Sequence, residues 1–242
     1  MEVGALQCDA KPDGIEMTGR AHFITAAGTD LGKTWVTAGL AAALRVRGKP
    51  VRALKPVMSG FDERDAAAGD AGRLLAACGL TVTPESIAAI SPWRFAAPLS
   101  PDRAAALEGR AIDVDALVAW CRAECVLNDD AVLIEGIGGV MVPLDARRTV
   151  RDWIAALGLP TLLVGGTYLG AVSHALTALA ALREVGVVPT AFLLSESADG
   201  VGMEDTVASL TPHLGAVPLH VLRRNDAEAI ARLADRLLAE EA

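Results

Sequence analysis

The stretch "HFITAAGTDLGKTWVTAGL", residues 22–40, carries the feature on which the prediction of the fold depends. It begins as an apolar run typical of a buried strand, passes through small and polar residues, and resumes as a helical pattern at Gly32–Thr34. A lysine between glycine and threonine at a strand-to-helix turn is typical of a phosphate-binding loop. Backbone N–H groups there face an anion, the lysine reaches the outer phosphates and the hydroxyl binds magnesium. Ala27 stands where GxxxxGK[ST] has its first glycine, and Gly28 follows one place later.

Composition favours one α/β domain. The chain has 242 residues, of which 52% are apolar but only 4% aromatic, so its core must be built mainly from Ala, Val, Leu and Ile. Residues 1–20 lack apolar periodicity, and we predict a flexible tail there, followed by a single domain over 21–242. The net charge of −8 argues against a nucleic-acid surface, because phosphate backbones are bound by clustered Lys and Arg.

Cysteine usage and hydropathy indicate a cytoplasmic protein. The cysteines show neither disulfide-framework spacing nor a CxxC motif, no signal-peptide pattern precedes them, and we expect structural thiols: Cys8, Cys78, Cys121 and Cys125. Residues 161–182 contain no Asp, Glu, Lys or Arg over a length that could span a bilayer. Gly165–Thr167 divides that stretch, however, and predicts a strand, a turn and a helix instead. We therefore expect no membrane association.

Short apolar runs alternate with longer helical patterns along the chain. The predicted strands are 22–25, 51–54, 131–135, 161–165, 188–195 and 215–219. The predicted helices are 33–47, 68–78, 113–126, 148–157, 169–185, 203–210 and 226–241. Continuous apolar strands separated by helices predict an α/β fold, a mainly parallel sheet of about seven strands with helices on both faces.

Polar side chains follow several of the predicted strands. Lys55 and Ser59 come after the second strand, in "LKPVMSG", and Glu135 ends "VLIE" before a glycine-rich turn. Right-handed crossovers place strand-to-helix turns at one edge of a parallel sheet, so these groups should meet the phosphate loop. Asp70 heads a predicted helix and is a second carboxylate that could reach magnesium there. The sequence therefore predicts a site for phosphates and magnesium.

Each of these residues also has a simpler structural explanation. Lys55 could be a solvated strand end, and Asp70 could be a helix N-cap, since aspartate satisfies free N–H groups there. Glu135 lies between apolar residues, where a carboxylate needs a partner. His174, on an apolar helix face, is predicted to be a packed core histidine rather than a catalyst.

Four motifs in order resemble those of the ATP-dependent dethiobiotin synthetases. "AAGTDLGKT" is similar to that family's GTDTxVGKT, "KPVMSG" to KPVxSG, "EGIGGVMVPL" to EGAGG followed by Pro-Leu, and "YLGAVSHALTAL" to KLGxINHxxLT. The resemblance runs from residue 22 to about 220. It implies a P-loop NTPase-like fold and a cyclo-ligase that uses MgATP. The enzyme would join 7,8-diaminononanoate and CO2 through a carbamate and a carbamic-phosphoric anhydride.

The resemblance also implies roles for individual residues. Lys33, Lys55, Thr29 and Ser59 would be catalytic, and Thr34, Asp70 and Glu135 would surround Mg²⁺. The nucleotide would be bound by Asp30, Leu31, Gly32, Lys33, Thr34, Trp35, Asp70, Glu135, Gly136, Ile137, Gly138, Ser195, Pro218, Leu219 and His220. The diamine would contact Ser59 and Thr29, and Gly170 and Ser173 would be supplied across a homodimer.

The chain departs from the family pattern in the loop and at the base. The first loop glycine of the family falls on Ala26, which would be strained at positive φ, so we predict a loop start reshaped around Gly28. Ser195 replaces the asparagine that reads adenine in the family, and Tyr168 replaces a frequent lysine.

Two alternatives stay open: another ATP-dependent amide- or ring-forming ligase, and a ParA- or MinD-like partition ATPase. The second class carries an extra lysine early in the phosphate loop. The residues of this loop before Gly32 contain no lysine.

Overall fold

The computed structural model describes residues 21–126, 131–224 and 226–239, so the predicted tail at 1–20 lies outside the described residues. The strands are β1 (Ala21–Ala26), β2 (Val51–Leu54), β3 (Val57–Ser59), β4 (Trp93–Phe95), β5 (Ala131–Glu135), β6 (Thr161–Gly165), β7 (Ala191–Ser195) and β8 (Leu219–Leu222). The helices are α1 (Lys33–Val46), α2 (Asp70–Ala77), α3 (Pro84–Ile90), α4 (Pro101–Leu107), α5 (Val114–Val126), α6 (Val150–Leu157), α7 (Ala171–Glu184), α8 (Met203–Leu214) and α9 (Ala227–Ala239).

A parallel sheet organises the molecule and confirms the predicted fold class. Six strands form it in the order β2-β5-β1-β6-β7-β8, and every pair is parallel. Because the strands run the same way, the segments that follow β1, β2, β5, β6, β7 and β8 all emerge at one edge. The short strands β3 and β4, which were not predicted, pair in a separate parallel ribbon.

The core lies between this sheet and the helices that cover it. All six residues of β1 are buried, as expected for a central strand of a parallel sheet. Phe23 of β1 contacts Trp153 of α6 edge-to-face, with ring centroids 4.8 Å apart, and both side chains are fully buried. On the other side, Gly39 lets α1 approach α9, because a Cβ there would lie 2.9 Å from Ile230.

The bounds of the last two strands and of α8 differ from those predicted. The strand predicted over 215–219 begins four residues later, as β8 over Leu219–Leu222, where it pairs with β7. Gly215 has φ of 66° and Pro218 has no N–H to donate, so this segment forms a turn before the strand. The strand predicted over 188–195 begins only at Ala191, and the helix predicted over 203–210 continues to Leu214.

Two short helices were missed although the sequence carries their signals. Pro84 and Pro101 occupy first-turn positions of α3 and α4, where the missing N–H costs nothing. Thr83 caps α3 by accepting the Ser86 backbone N–H, and the Ser86 hydroxyl in turn accepts the Thr83 N–H. Both helices span only seven residues, which is too short for a strong periodic pattern.

The uncharged stretch 161–182 folds as predicted into β6 and most of α7, on either side of a turn. Among the helices of the described ranges, none is long and apolar enough to cross a membrane. Cys121 and Cys125 are buried on α5, and burial raises the pKa of Cys125 to about 11. Cys8 lies outside the described residues.

Candidate functional site

The phosphate-binding loop connects β1 to α1 over residues 27–32. Lys33 is the first residue of α1, and its ammonium donates to the Gly28 carbonyl oxygen at 3.1 Å across the loop. Gly32 precedes the helix with φ of 92°, which only glycine adopts easily. The N–H groups of the first turn of α1 therefore point into the space in front of the loop.

The loop does not begin as the sequence comparison predicted. Ala26 is the buried last residue of β1, so its β-carbon is not strained, and Gly28 is absent from the positive-φ positions of the described chain. The left-handed residues are Asp30, with φ of 57°, and Gly32. The chain therefore turns near the end of the loop, at Asp30 and Gly32. The prediction that the start of the loop is reshaped around Gly28 is wrong.

Lys55 connects the carboxylates of the site. It follows β2 directly, and its ammonium lies 2.5 Å from the Glu135 carboxylate and 3.0 Å from that of Asp70. It also donates to the Gly136 carbonyl oxygen at 3.0 Å. The side chain is 4% exposed. Burial alone would lower the pKa of Lys55, but the charges of Glu135 and Asp70 outweigh it and raise that pKa. Lys55 is therefore a buried, charged residue and not a solvated strand end.

Glu135 is fully buried at the end of β5. One oxygen, Oε1, accepts the Thr34 hydroxyl at 2.8 Å as well as the Lys55 ammonium. The other, Oε2, is buried and has no hydrogen-bond partner within the described residues. A carboxylate oxygen in this state is a site to which a cation or a water molecule would bind favourably.

Asp70 completes the acidic side of the site. It is the first residue of α2, and the N-cap position is occupied by Gly69, so the N-cap interpretation of Asp70 is wrong. Burial would raise the pKa of Asp70, but Lys55 and the Thr34 hydroxyl lower it below the usual range. Within the described ranges, no group of three His, Cys, Asp or Glu side chains forms a metal-binding cluster. A magnesium ion here would need phosphate and water oxygens besides Thr34, Asp70 and Glu135, as is usual for this ion.

These side chains surround one cavity of about 390 Å³ in front of the loop. It is lined by Thr29, Asp30, Gly32, Lys33, Thr34, Trp35, Lys55, Met58, Ser59, Asp70, Arg73, Glu135, Ile137 and Gly138. Burial, and after it the neighbouring Lys55 charge, lower the pKa of Lys33 to about 8. The positive charge of Lys55 is therefore close enough to affect Lys33 in the same cavity. Arg73 and Met58 are members that the sequence motifs did not single out.

A second cavity, of about 400 Å³, lies on the other side of Gly32. It is lined by Asp30, Leu31, Gly32, Trp35, Ser195, Glu196, Ser197, Ala198, Leu222, Arg223 and Arg224. Trp35 lines both cavities and is 37% exposed. The Ser195 hydroxyl is close to the loop, 3.1 Å from where a Cβ on Gly32 would lie. A nucleotide whose phosphates filled the first cavity could place its base in the second.

Four residues predicted to lie along the nucleotide do not line these cavities: Gly136, Pro218, Leu219 and His220. Gly136 accepts a hydrogen bond from Lys55 instead. Pro218, Leu219 and His220 lie at the amino end of β8, whereas the phosphate loop lies at the carboxyl edge of the sheet. Leu219 and His220 line a different cavity, which they share with α9. We correct the prediction: the segment of this strand that reaches the second cavity is Leu222–Arg224.

A third, open cavity of about 630 Å³ lies beside Gly28 and Thr29 and includes Tyr168 and His174. His174 is exposed, and its Nδ1 lies 2.6 Å from the Tyr168 hydroxyl, so the predicted packed core histidine is wrong. Gly170 precedes α7 with φ of 93° and Ser173 lies in its first turn. Both are exposed and neither lines this cavity. The adjacent Leu169 is 88% exposed.

Comparison with protein families finds a match over most of the chain. A family model described as an AAA domain matches residues 20–224. The chain is 51% identical over 207 residues to the ATP-dependent dethiobiotin synthetase BioD of Methylobacterium nodulans, covering 83% of this chain and 92% of that protein. It is 47% identical over 220 residues to BioD of a Caulobacter species, covering 90% of this chain and 94% of the relative.

Solved structures with the same fold are much more distant in sequence. The MinC:MinD cell division complex of Aquifex aeolicus matches with a TM-score of 0.57 and 12% identity, over 91% of this chain and 96% of that one. The hydrogenase maturation factor HypB of Archaeoglobus fulgidus matches with a TM-score of 0.57 and 13% identity, over 92% and 90%. At these identities the likeness shows the fold alone.

Proposed function

Because the chain belongs to the ATP-dependent dethiobiotin synthetase family, we propose that it carries out that family's reaction. One amine of 7,8-diaminononanoate reacts with CO2 to give a carbamate, and ATP phosphorylates the carbamate oxygen. The second amine then attacks the activated carbonyl carbon and expels phosphate, which closes the ureido ring of dethiobiotin. Residues 21–242 form the single ligase domain in this proposal.

One observation carries the proposal: Lys33, Lys55, Asp70 and Glu135 share one cavity at the phosphate loop. A carbamate and the terminal phosphate of ATP are both anions and repel each other as they approach. Preorganised cations at that point lower the repulsion and stabilise charge on the transferring phosphoryl group. No nucleophilic side chain is required, since the substrate supplies both nucleophiles.

The residues present fit a magnesium ion. Glu135 Oε2 is buried without a hydrogen-bond partner in the described chain, and the Asp70 carboxylate and the Thr34 hydroxyl lie at the same cavity. Magnesium uses one or two carboxylates together with phosphate oxygens and waters. When bound, it would neutralise phosphate charge beside Lys33. Lys55, paired with both carboxylates, would hold them in position beside the ion.

The diamine site is proposed to lie beside Thr29 and Ser59, which line the phosphate cavity. In this proposal the protein is a cytoplasmic homodimer, and Gly170 and Ser173 contact the diamine bound to the partner copy. Their exposure at the start of α7, next to the 88% exposed Leu169, supports an interface there.

A steady-state assay tests the proposed function. We expect phosphate release from MgATP to require both diaminononanoate and bicarbonate, and labelled bicarbonate to appear in dethiobiotin at one equivalent per phosphate. Phosphate release that needs neither compound would contradict the proposal, as would release stimulated only by DNA or lipid vesicles.

A further inference from the structure

Arg73 lines the phosphate cavity, and the family motifs assign it no role. It lies on α2 three residues after Asp70, and residues at this spacing share one face of a helix. Of the other residues of α2, Ala71, Leu74 and Leu75 are buried. Asp70 and Arg73 therefore both point toward the cavity, the acid at its inner end beside Lys55 and the arginine nearer its mouth, where it is exposed.

The position of α2 is fixed by close backbone packing. A Cβ built on Gly72 would lie 2.4 Å from the carbonyl oxygens of both Ala66 and Ala67, so the preceding loop rests directly on the helix. The Arg73 N–H also donates to the Gly69 carbonyl oxygen at 3.0 Å, which closes the first turn. Arg73 is thus exposed at its tip but carried on a well-anchored backbone.

The charges of the cavity leave Arg73 available to a ligand. The Lys55 ammonium is matched by two carboxylates, and the Lys33 ammonium donates to the Gly28 carbonyl oxygen. Arg73 forms no ion pair with any residue in the described part of the chain. In a protein with a net charge of −8, an arginine without an acidic partner at the mouth of an anion site is suited to bind an anion.

We propose that the Arg73 guanidinium contacts the terminal phosphate of the bound nucleotide from the solvent side of the cavity, opposite Lys33 and Lys55. This inference rests on the proposed function for the identity of the nucleotide. A guanidinium binds two oxygens of a phosphate through a rigid planar fork of N–H groups, a geometry that an ammonium lacks. Arg73 would withdraw negative charge from the phosphoryl group as it transfers, a role that arginine takes in other phosphoryl-transfer enzymes.

Titration calorimetry with MgATP and MgADP tests this contact without the diamine. For Arg73→Ala we expect the Kd of MgATP to rise about tenfold to a hundredfold, the range for a lost hydrogen bond between charged groups. The Kd of MgADP should change much less, because ADP lacks the terminal phosphate. Arg73→Lys should keep part of the ATP affinity. Arg236→Ala, at an exposed arginine on α9, is the matched control and should change neither Kd.

Three results would overturn the proposal. The first is an equal loss of ATP and ADP affinity in Arg73→Ala, and the second is the same loss in Arg236→Ala. The third is an unchanged Kd of MgATP with a raised KM for the diamine, which would place the guanidinium at the carbamate instead. A wild-type protein that binds MgATP but makes no dethiobiotin would refute the proposed function and leave the comparison of ATP with ADP valid. The melting temperature of each variant checks that the fold is intact.

Discussion

Replacing Lys55 by methionine should both destabilise the fold and stop turnover. Methionine keeps the length of the apolar stem but removes the ammonium that lies 2.5 Å from Glu135. Glu135 is fully buried, so the change leaves a carboxylate in the interior with only the Thr34 hydroxyl as a side-chain donor. Removing one member of a buried ion pair costs about 3–5 kcal/mol. The pair with Asp70 adds little, because that side chain is 41% exposed.

A double variant separates this charge effect from packing. In Lys55→Met/Glu135→Gln the uncompensated carboxylate is gone, so the free energy of unfolding should recover by about 2 kcal/mol or more relative to Lys55→Met alone. Urea denaturation at neutral pH measures the unfolding free energy of the two single variants, the double variant and the wild type. Lys49→Met, at an exposed lysine, is the control and should change it by no more than about 0.5 kcal/mol.

Turnover should respond differently from stability. We expect Lys55→Met to lower kcat by about a hundredfold or more, the effect of removing one preorganised charge from a reacting site. The double variant should stay as slow, because it does not replace the ammonium. If Lys55→Met unfolds like Lys49→Met and turns over at the wild-type rate, Lys55 is neither the partner of Glu135 in solution nor part of the reaction.

Three further perturbations probe the loop and the metal ligands. Glu135→Gln should shift the magnesium titration of turnover to higher concentration, and an unchanged titration would argue against metal binding there. The pKa of Lys33 is lowered to about 8, so the free protein loses this charge as the pH rises through 8. The affinity for MgATP should therefore fall between pH 7 and 9. Binding at the higher pH should take up a proton, which calorimetry in buffers of different ionisation enthalpy detects. Lys33→Arg should abolish that pH dependence, and a wild-type affinity that is flat over this range would refute it. Asp30→Gly should raise the unfolding free energy by up to about 1 kcal/mol, because glycine adopts the φ of 57° without strain; a lower melting temperature would show that the Asp30 side chain supports the loop.

The phosphate side of the site could be predicted from sequence because the phosphate loop and Glu135 stand at the ends of fully buried strands. The loop that ends at Lys33 follows β1, and Glu135 is the last residue of β5; these are two adjacent central strands whose burial leaves no freedom of register. In a parallel sheet the carboxyl ends of the strands lie at one edge. Lys55 directly follows β2 and therefore lies at the same edge. What the pattern could not predict was the ion pairing, since the contact of Lys55 with Glu135 joins residues 80 positions apart.

The lining of the second cavity was predicted less well because it depends on the edge strand β8. In β8 only Leu222 is buried. Residues 215–219, just before it, are also mostly apolar, so the sequence pattern does not show where the strand begins. The sequence specifies the register of a strand weakly where neither of its faces is fully covered. The positions of Arg223 and Arg224 at the second cavity follow from the pairing of β8 with β7, which joins Leu222 to Ser195. The residues that reach the second cavity are therefore those at the end of β8 and just after it. Substitutions that test base selectivity belong at Ser195 and Arg224, not at His220.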